Sequence, residues 1–447
     1  MRKLLTGDVS STTNVRTDSI DPSLFDDPGH SGLPRLSRGA LLAGLSRAFD
    51  LAEGRKPGHA QRVAYIAVTV AQAMNLKDTQ VEEAFLAALL HDVGMAATPA
   101  APSHAPTTGT SLWSEPGAAR DALATMPSGG WSQIVAALNV HCEFGASIAL
   151  RLARSEGVAQ AVLAHHECWD RPSGRAVTIV PRIIAAADRM ESMLDADLSP
   201  LAVRRRGAQL MVEMSGSELD PEVAAKLAQL AAGDAFWIGF YDNDLGATLM
   251  GMSVGDTLDR SGFLEVLAVS ADVVDTRNAR ERGRGRRVAE MARSLALACD
   301  MPERRADFVM AAALLQDIGT LAVSAHVLSK PDILTIEEMG LVQQHPAHAR
   351  DVLSEIPGLG AAAWWVGCHH ERVDGKGYPG MLHGVEVPAE SQIIGLCEAY
   401  DALTTDRPYR RAMTSGDAVA VMRGLGGTRF DGALVERFIS RLRVFSI

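Results

Sequence analysis

The chain of 447 residues repeats itself, and that constrains its fold more than any other feature. GHAQRVAYIAVTVAQAMNL at 58–76 lies over GRGRRVAEMARSLALACDM at 283–301 with no gap, an offset of 225. LAALLHDVGM (86–95) falls on AAALLQDIGT (311–320) at the same offset. Further on, LAHHECWD (163–170) answers VGCHHERVD (366–374), and IIAAADRMESML (183–194) answers IIGLCEAYDALT (393–404). A period of about 210 residues is the length of a domain, not of a solenoid repeat, so the two halves share one fold.

That fold is all-α. Apolar residues recur at helical spacing in LLAGLSRAF, RVAYIAVTVAQAM, VEEAFLAALLHDVGM, WSQIVAALNV and VPRIIAAADRMESML. The spacing predicts two tandem helical bundles, at 37–233 and 262–447. Residues 1–36, rich in Ser, Thr, Asp, Pro and Gly, read as a disordered arm. The connector 234–261 contains AFWIGFYDNDLGATLMGM, whose central DND suggests a short hairpin or an irregular link.

Charge and cysteine usage narrow the function. The net charge of -11 disfavours a nucleic-acid polymer as partner. Five scattered cysteines without a CxxC pair suit a reducing cytoplasm, and no apolar run is long enough to span a membrane.

Chemistry concentrates in the first copy, at His59, His91, Asp92, His141, His165, His166 and Asp188. Any one of these histidines alone would be read as structural. Imidazoles and carboxylates borne on several helices of one bundle are, by contrast, the usual construction of a dinuclear metal site. The adjacent His91-Asp92 can place an imidazole on one metal while the carboxylate bridges two, the arrangement that phosphodiester hydrolysis requires.

With these residues both copies resemble HD-GYP domains of the HD metal-dependent phosphohydrolase superfamily. The resemblance implies hydrolysis of a cyclic dinucleotide, foremost cyclic di-GMP, on two divalent ions, iron or manganese. It implies His59, His91, Asp92 and Asp188 as ligands of one metal and Asp92, His141 and His165 as ligands of the other. The catalytic residues would be Asp92 and His166, the latter touching the scissile phosphate or the leaving oxygen. Departures are specific: Met95 replaces the family's Lys, ECWDRPSGR (167–175) replaces its GYP loop, and Arg55 replaces the Glu of a third metal. Cys142 stands where the family has Pro and reads as filler.

The second copy inverts the pattern. It keeps HHERVDGKGYPG (369–380) and DALTTDRPYRRA (401–412), yet Arg284 takes the first His position, Gln316 the HD histidine and Glu398 the metal acid. Asp317, His345, His369 and His370 remain, so this copy is expected to be metal-poor and regulatory, with Arg284 paired to Asp317. The Arg-rich stretch 277–287 reads as a solvated face, with an anion patch as the alternative. The expected partner is a nucleotide second messenger, with a homodimer or a signalling protein meeting the second domain. Two other functions fit the same residues: a silent nucleotide- or protein-binding adaptor, and a phosphohydrolase for another nucleotide.

Overall fold

The computed structural model describes residues 33–445, apart from 53, 55–56, 98–129, 171–176, 193–199, 252–254, 278–281, 331 and 407–410. Arg55 and most of the loop that replaces GYP lie outside the described residues, as does the arm up to residue 32.

The first unit is built of α1 (Arg38–Ala52), α2 (His59–Ala73), α3 (Asp78–Leu90), α4 (Val93–Ala97), α5 (Gly130–Ala153), α6 (Glu156–Ala164), α7 (Ile179–Ser192), α8 (Pro200–Met214) and α9 (Pro221–Ala231). Helices α2, α3 and α7 pack together, and α6 closes the bundle against α3 and α5. Leu41, Ile66, Leu89, Leu152 and Ile183 are fully buried between them. Each such side chain contributes ~1.5–3 kcal/mol of burial free energy. The start of α2 is fixed from outside the helix. Gly58 takes the left-handed φ of 94°, and buried Asp50 of α1 accepts from the Gly58 and Ala60 amides, so amides lacking a helical partner are satisfied.

The second unit repeats the plan with α12 (Arg260–Thr276), α13 (Arg284–Ala298), α14 (Glu303–Leu315), α15 (His345–Ser354), α16 (Gly360–Gly367) and α17 (Ala389–Thr404). Gly283 at φ 71° and the acceptor Asp275 reproduce the Gly58 and Asp50 device. The 3₁₀ segment Ile318–Ala322 replaces α4.

Two expectations need correction. The connector is helical, with α10 (Asp234–Phe240) and α11 (Leu245–Gly251), and no strand occurs among the described residues. Phe236, Trp237 and Phe240 are spaced to share a helix face and are buried. The Phe236 carbonyl accepts from Tyr65 Oη, and Trp237 Nε1 donates to the Ala231 carbonyl. The DND element supplies a break between helices, where Asp242 accepts from the Asp244 amide. The last residues of the expected arm, 33–36, are ordered. Leu33 and Leu36 pack against the core, and the Leu36 carbonyl accepts from the Leu258 amide.

The units are joined reciprocally. Helix α1 packs on Ile318–Ala322 and α15 of the second unit, and α12 packs on α4 and α5 of the first. At this seam a Cβ on Gly44 would come 2.4 Å from Ile356 Cγ1, so only glycine permits the approach.

Candidate metal centre

Three helix ends and two helix bodies deliver the ligands. His59 opens α2, His91-Asp92 follows α3, His165-His166 follows α6, His141 lies within α5 and Asp188 within α7. His59, His91, His141 and His165 are all buried. The structure brings together every first-copy residue singled out from sequence, in two groups joined by Asp92. His59, His91 and Asp188 converge on one side, and His141, His165 and His166 on the other. Asp92 Oδ2 lies 3.1 Å from His91 Nε2, while Oδ1 lies 3.5 Å from His141 Nε2 and 3.4 Å from His165 Nε2. His59 Nε2 and His91 Nε2 lie 3.5 and 3.8 Å from Asp188 Oδ1.

These separations are those of a coordination shell. Bonds of about 2.0–2.2 Å at angles of roughly 90–120° hold ligand atoms about 2.8–3.8 Å apart. Orientation agrees. His91 Nδ1 donates to the Ala88 carbonyl at 2.8 Å and His165 Nδ1 to the Val162 carbonyl at 2.6 Å, which turns both Nε2 atoms inward. Both are buried and make no hydrogen bond. A buried imidazole nitrogen left so is costly unless a cation takes its lone pair. The residues therefore fit a pair of divalent metal ions.

The electrostatics point the same way. Burial pushes the His91, His141 and His165 rings toward the neutral form, but the Asp92 carboxylate outweighs it, holding His91 well above its ordinary value, His141 up to about 10 and His165 up to about 9. Asp92 is held well below the carboxylate range despite burial, chiefly by the His91 charge and by the nearby His141 and His165 rings. Positive charge is in demand between these groups, as protons or as metal. Burial and then the His165 charge hold His166 well below its ordinary value, which makes it a neutral ring at the edge of the centre.

One functional residue escaped the sequence reading. Glu191 Oε2 lies 2.5 Å from His59 Nδ1 and its Oε1 accepts from Arg62 Nε at 2.7 Å, so it fixes the ring that Asp188 faces. The signal was its place one helical turn after Asp188, on the same face of α7. Cys142, expected as filler, lies beside the second group. Its Sγ lies 3.6 Å from His141 Nε2, inside the second group.

In the second unit Arg284 occupies the first position. Its Nη1 lies 2.9 Å from Asp317 Oδ2, the pair expected from sequence, and its Nη2 lies 2.5 Å from Glu398 Oε1. A fixed guanidinium thus compensates the acids at this position. The second position keeps its nitrogen donors, with His345 Nε2 3.2 Å from His369 Nε2 and His370 beside them. His370 stacks on Tyr378 of the GYP loop at 4.8 Å. A cavity of about 250 Å³ opens here, lined in part by Arg277, Arg284, His345, His370 and Tyr378. Of the Arg-rich stretch, residues 278–281 lie outside the described residues; Arg282 and Arg287 are exposed, as a solvated face requires, while buried Arg277 donates to the Leu321 carbonyl, Arg286 pairs with Asp272 and Arg287 with Asp401.

Two family models described as HD domain match residues 58–193 and 268–434. The chain is a tandem HD-domain protein. This tandem HD protein is 27% identical over 421 residues to the 3′3′-cGAMP-specific phosphodiesterase 3 of Vibrio cholerae, covering 86% of this chain and 89% of that one. It is 34% identical over 164 residues to a cyclic di-GMP phosphodiesterase of Pseudomonas aeruginosa, covering 36% of this chain and 39% of that protein. A crystal structure of a cyclic GMP-AMP-specific phosphodiesterase of V. cholerae shares the fold with a TM-score of 0.63 and 24% identity, over 92% of this chain and 99% of the other. No helix among the described residues is long and apolar enough to cross a membrane.

Proposed function

We propose that this metal-dependent phosphodiesterase hydrolyses a 3′3′-linked cyclic dinucleotide at its first HD domain, and that the second domain is regulatory. The observation that carries the reading is the Asp92 carboxylate, whose two oxygens face two separate groups of buried imidazoles. In the second domain Arg284 stands in the corresponding first position. The sequence alone favoured cyclic di-GMP; the relatives matched along most of their length bring 3′3′-cGAMP to the front.

His59, His91, Asp92 and Asp188 would hold one divalent cation and Asp92, His141 and His165 the other, and such ions when bound would supply Lewis acidity for the phosphoryl oxygens and for the attacking water. The chain's own residues do the rest. Asp92 holds the two groups in register. Glu191 and the Ala88 and Val162 carbonyls fix the imidazoles before substrate arrives, so no reorientation is needed during reaction. His166, neutral at physiological pH, offers a ring N–H to a phosphate oxygen or to the departing ribose oxygen.

The test is hydrolysis of 3′3′-cGAMP, cyclic di-GMP and cyclic di-AMP by the full chain loaded with iron, manganese or zinc. Turnover should be lost in Asp92→Ala and survive in Asp317→Ala. Equal loss in both variants would move chemistry to the second domain, and no turnover of any substrate would favour the adaptor.

A further inference from the structure

Resting on the reading of the first domain as a two-metal centre, we propose that Cys142 is a thiolate ligand of the second metal position. The structure thereby assigns to it an Asp-His-His-Cys donor set that selects a thiophilic cation of the zinc, cobalt(II) or iron(II) kind over magnesium or manganese. The first observation is a length. A tetrahedral metal with bonds of about 2.3 Å to sulfur and about 2.0–2.1 Å to nitrogen holds S and N about 3.6 Å apart. Cys142 Sγ and His141 Nε2 are 3.6 Å apart. The other edges agree, with Asp92 Oδ1 3.5 Å from His141 Nε2 and 3.4 Å from His165 Nε2. Three edges of tetrahedral length thus link four donors on three elements, Cys142 to His141, His141 to Asp92 and Asp92 to His165.

The second observation is independent of the sulfur. His165 is buried, its Nδ1 is committed to the Val162 carbonyl, and its Nε2 points into this group without a hydrogen bond. The site is therefore built for a ligand, and Cys142, itself buried, lies within 4.8 Å of a ring nitrogen of His165. The second domain supplies an internal contrast: Pro346 follows His345 there, so the same step of the helix carries no donor. Soft thiolate donors favour zinc and iron over hard cations, whereas an all-N/O set does not discriminate in this way.

The experiment is anaerobic titration of the metal-stripped full chain with cobalt(II), reading visible ligand-field bands and the near-ultraviolet sulfur-to-cobalt charge-transfer band. Wild type should show both, and Cys142→Ser only the first. Loss of even an outer-shell partner typically costs 10–100-fold in metal affinity, so Cys142→Ser should weaken zinc by at least about tenfold. Manganese affinity should hardly change. Cys168→Ser should behave as wild type. Should Cys142→Ser fail to fold, X-ray absorption on the zinc-loaded wild type decides, because a sulfur scatterer at about 2.3 Å is expected. Cobalt bound with ligand-field bands but no charge-transfer band in wild type, or the same band in Cys142→Ser, overturns the assignment while leaving the metal centre intact. Absence of cobalt binding overturns both.

Discussion

Replacing Gly94 with Ala should separate metal binding from folding. A Cβ at 94 would stand 1.9 Å from the His141 carbonyl oxygen and 2.7 Å from the Gly145 amide nitrogen. Both neighbours are backbone, so no rotamer change gives relief. To reach an ordinary contact, α4 and α5 must part by roughly 1.5 Å, given carbon contacts of about 3.5 Å. His141 rides on α5, and its Nε2 now sits 3.5 Å from Asp92 Oδ1. A displacement of that size is most of a metal–nitrogen bond of about 2.0–2.1 Å. The stability cost should fall near the top of the ~1–3 kcal/mol usual for overpacking. Hydrolysis should fall by about 10²-fold, the typical effect of a 1 Å misplacement. Gly319→Ala is the matched control, because a Cβ there would meet the His345 carbonyl oxygen at 2.0 Å. It should cost similar stability yet leave metal content and turnover of the first domain intact. Denaturant unfolding, metal analysis and turnover are measured on both variants. If Gly94→Ala keeps its metals and turnover, or if Gly319→Ala loses them equally, the glycine does not position His141 in the way argued.

Arg284→Ala should destabilise the second domain by about 3–5 kcal/mol, because it leaves buried Glu398 and partly buried Asp317 without their cation; an unchanged unfolding midpoint would refute the pairing. Glu191→Gln should weaken metal binding about 10–100-fold by loosening His59, whereas Asp401→Asn, its counterpart in the second domain, should not. Equilibrium dialysis of both variants checks this, and equal affinities would sink it. Burial and then the His369 charge press His345 down to about 4. Its neutral ring therefore stabilises the fold fully above the unfolded value of about 6.5, and that stability is lost as pH falls toward 4, by roughly 3 kcal/mol in all. Unfolding of the second domain in metal-free protein at pH 7 and pH 5 should show a lower midpoint at pH 5, and equal midpoints would contradict the burial argument.

The sequence exposed what depends on residue type at fixed spacing. Helical periodicity predicted the bundles, and the duplication predicted that Arg284 would face Asp317, because a guanidinium in a ligand's place needs a buried acid. It concealed what depends on which face meets which neighbour. Phe236, Trp237 and Phe240 look equally suited to a hairpin and to a short helix until Tyr65 and Ala231 stand opposite them. Glu191 acquires its role only in the folded chain, which puts His59 Nδ1 against it. Cys142 was hidden by its chemistry, because a buried thiol packs like a small apolar side chain and only its distance to His141 distinguishes donor from filler.

The two copies differ at their first metal position, and the seam between them ties the second domain to the first. Helix α1 rests on the second unit beside Ile318–Ala322, and α12 rests on α4 and α5, which carry Gly94 and His141. Through α12 the second domain therefore backs the elements that carry the first domain's candidate ligands, whereas Ile318–Ala322 packs on α1, which carries none of them. Losing its metal ligands without replacement would have left buried carboxylates there, a cost of several kcal/mol per ion. Arg284 offsets that charge in place, reaching Asp317 and Glu398 from one guanidinium fork, while Arg287 keeps Asp401 as Arg62 keeps Glu191. What was given up in the second unit is thus confined to the first metal position, and the helix that braces the other centre keeps its footing.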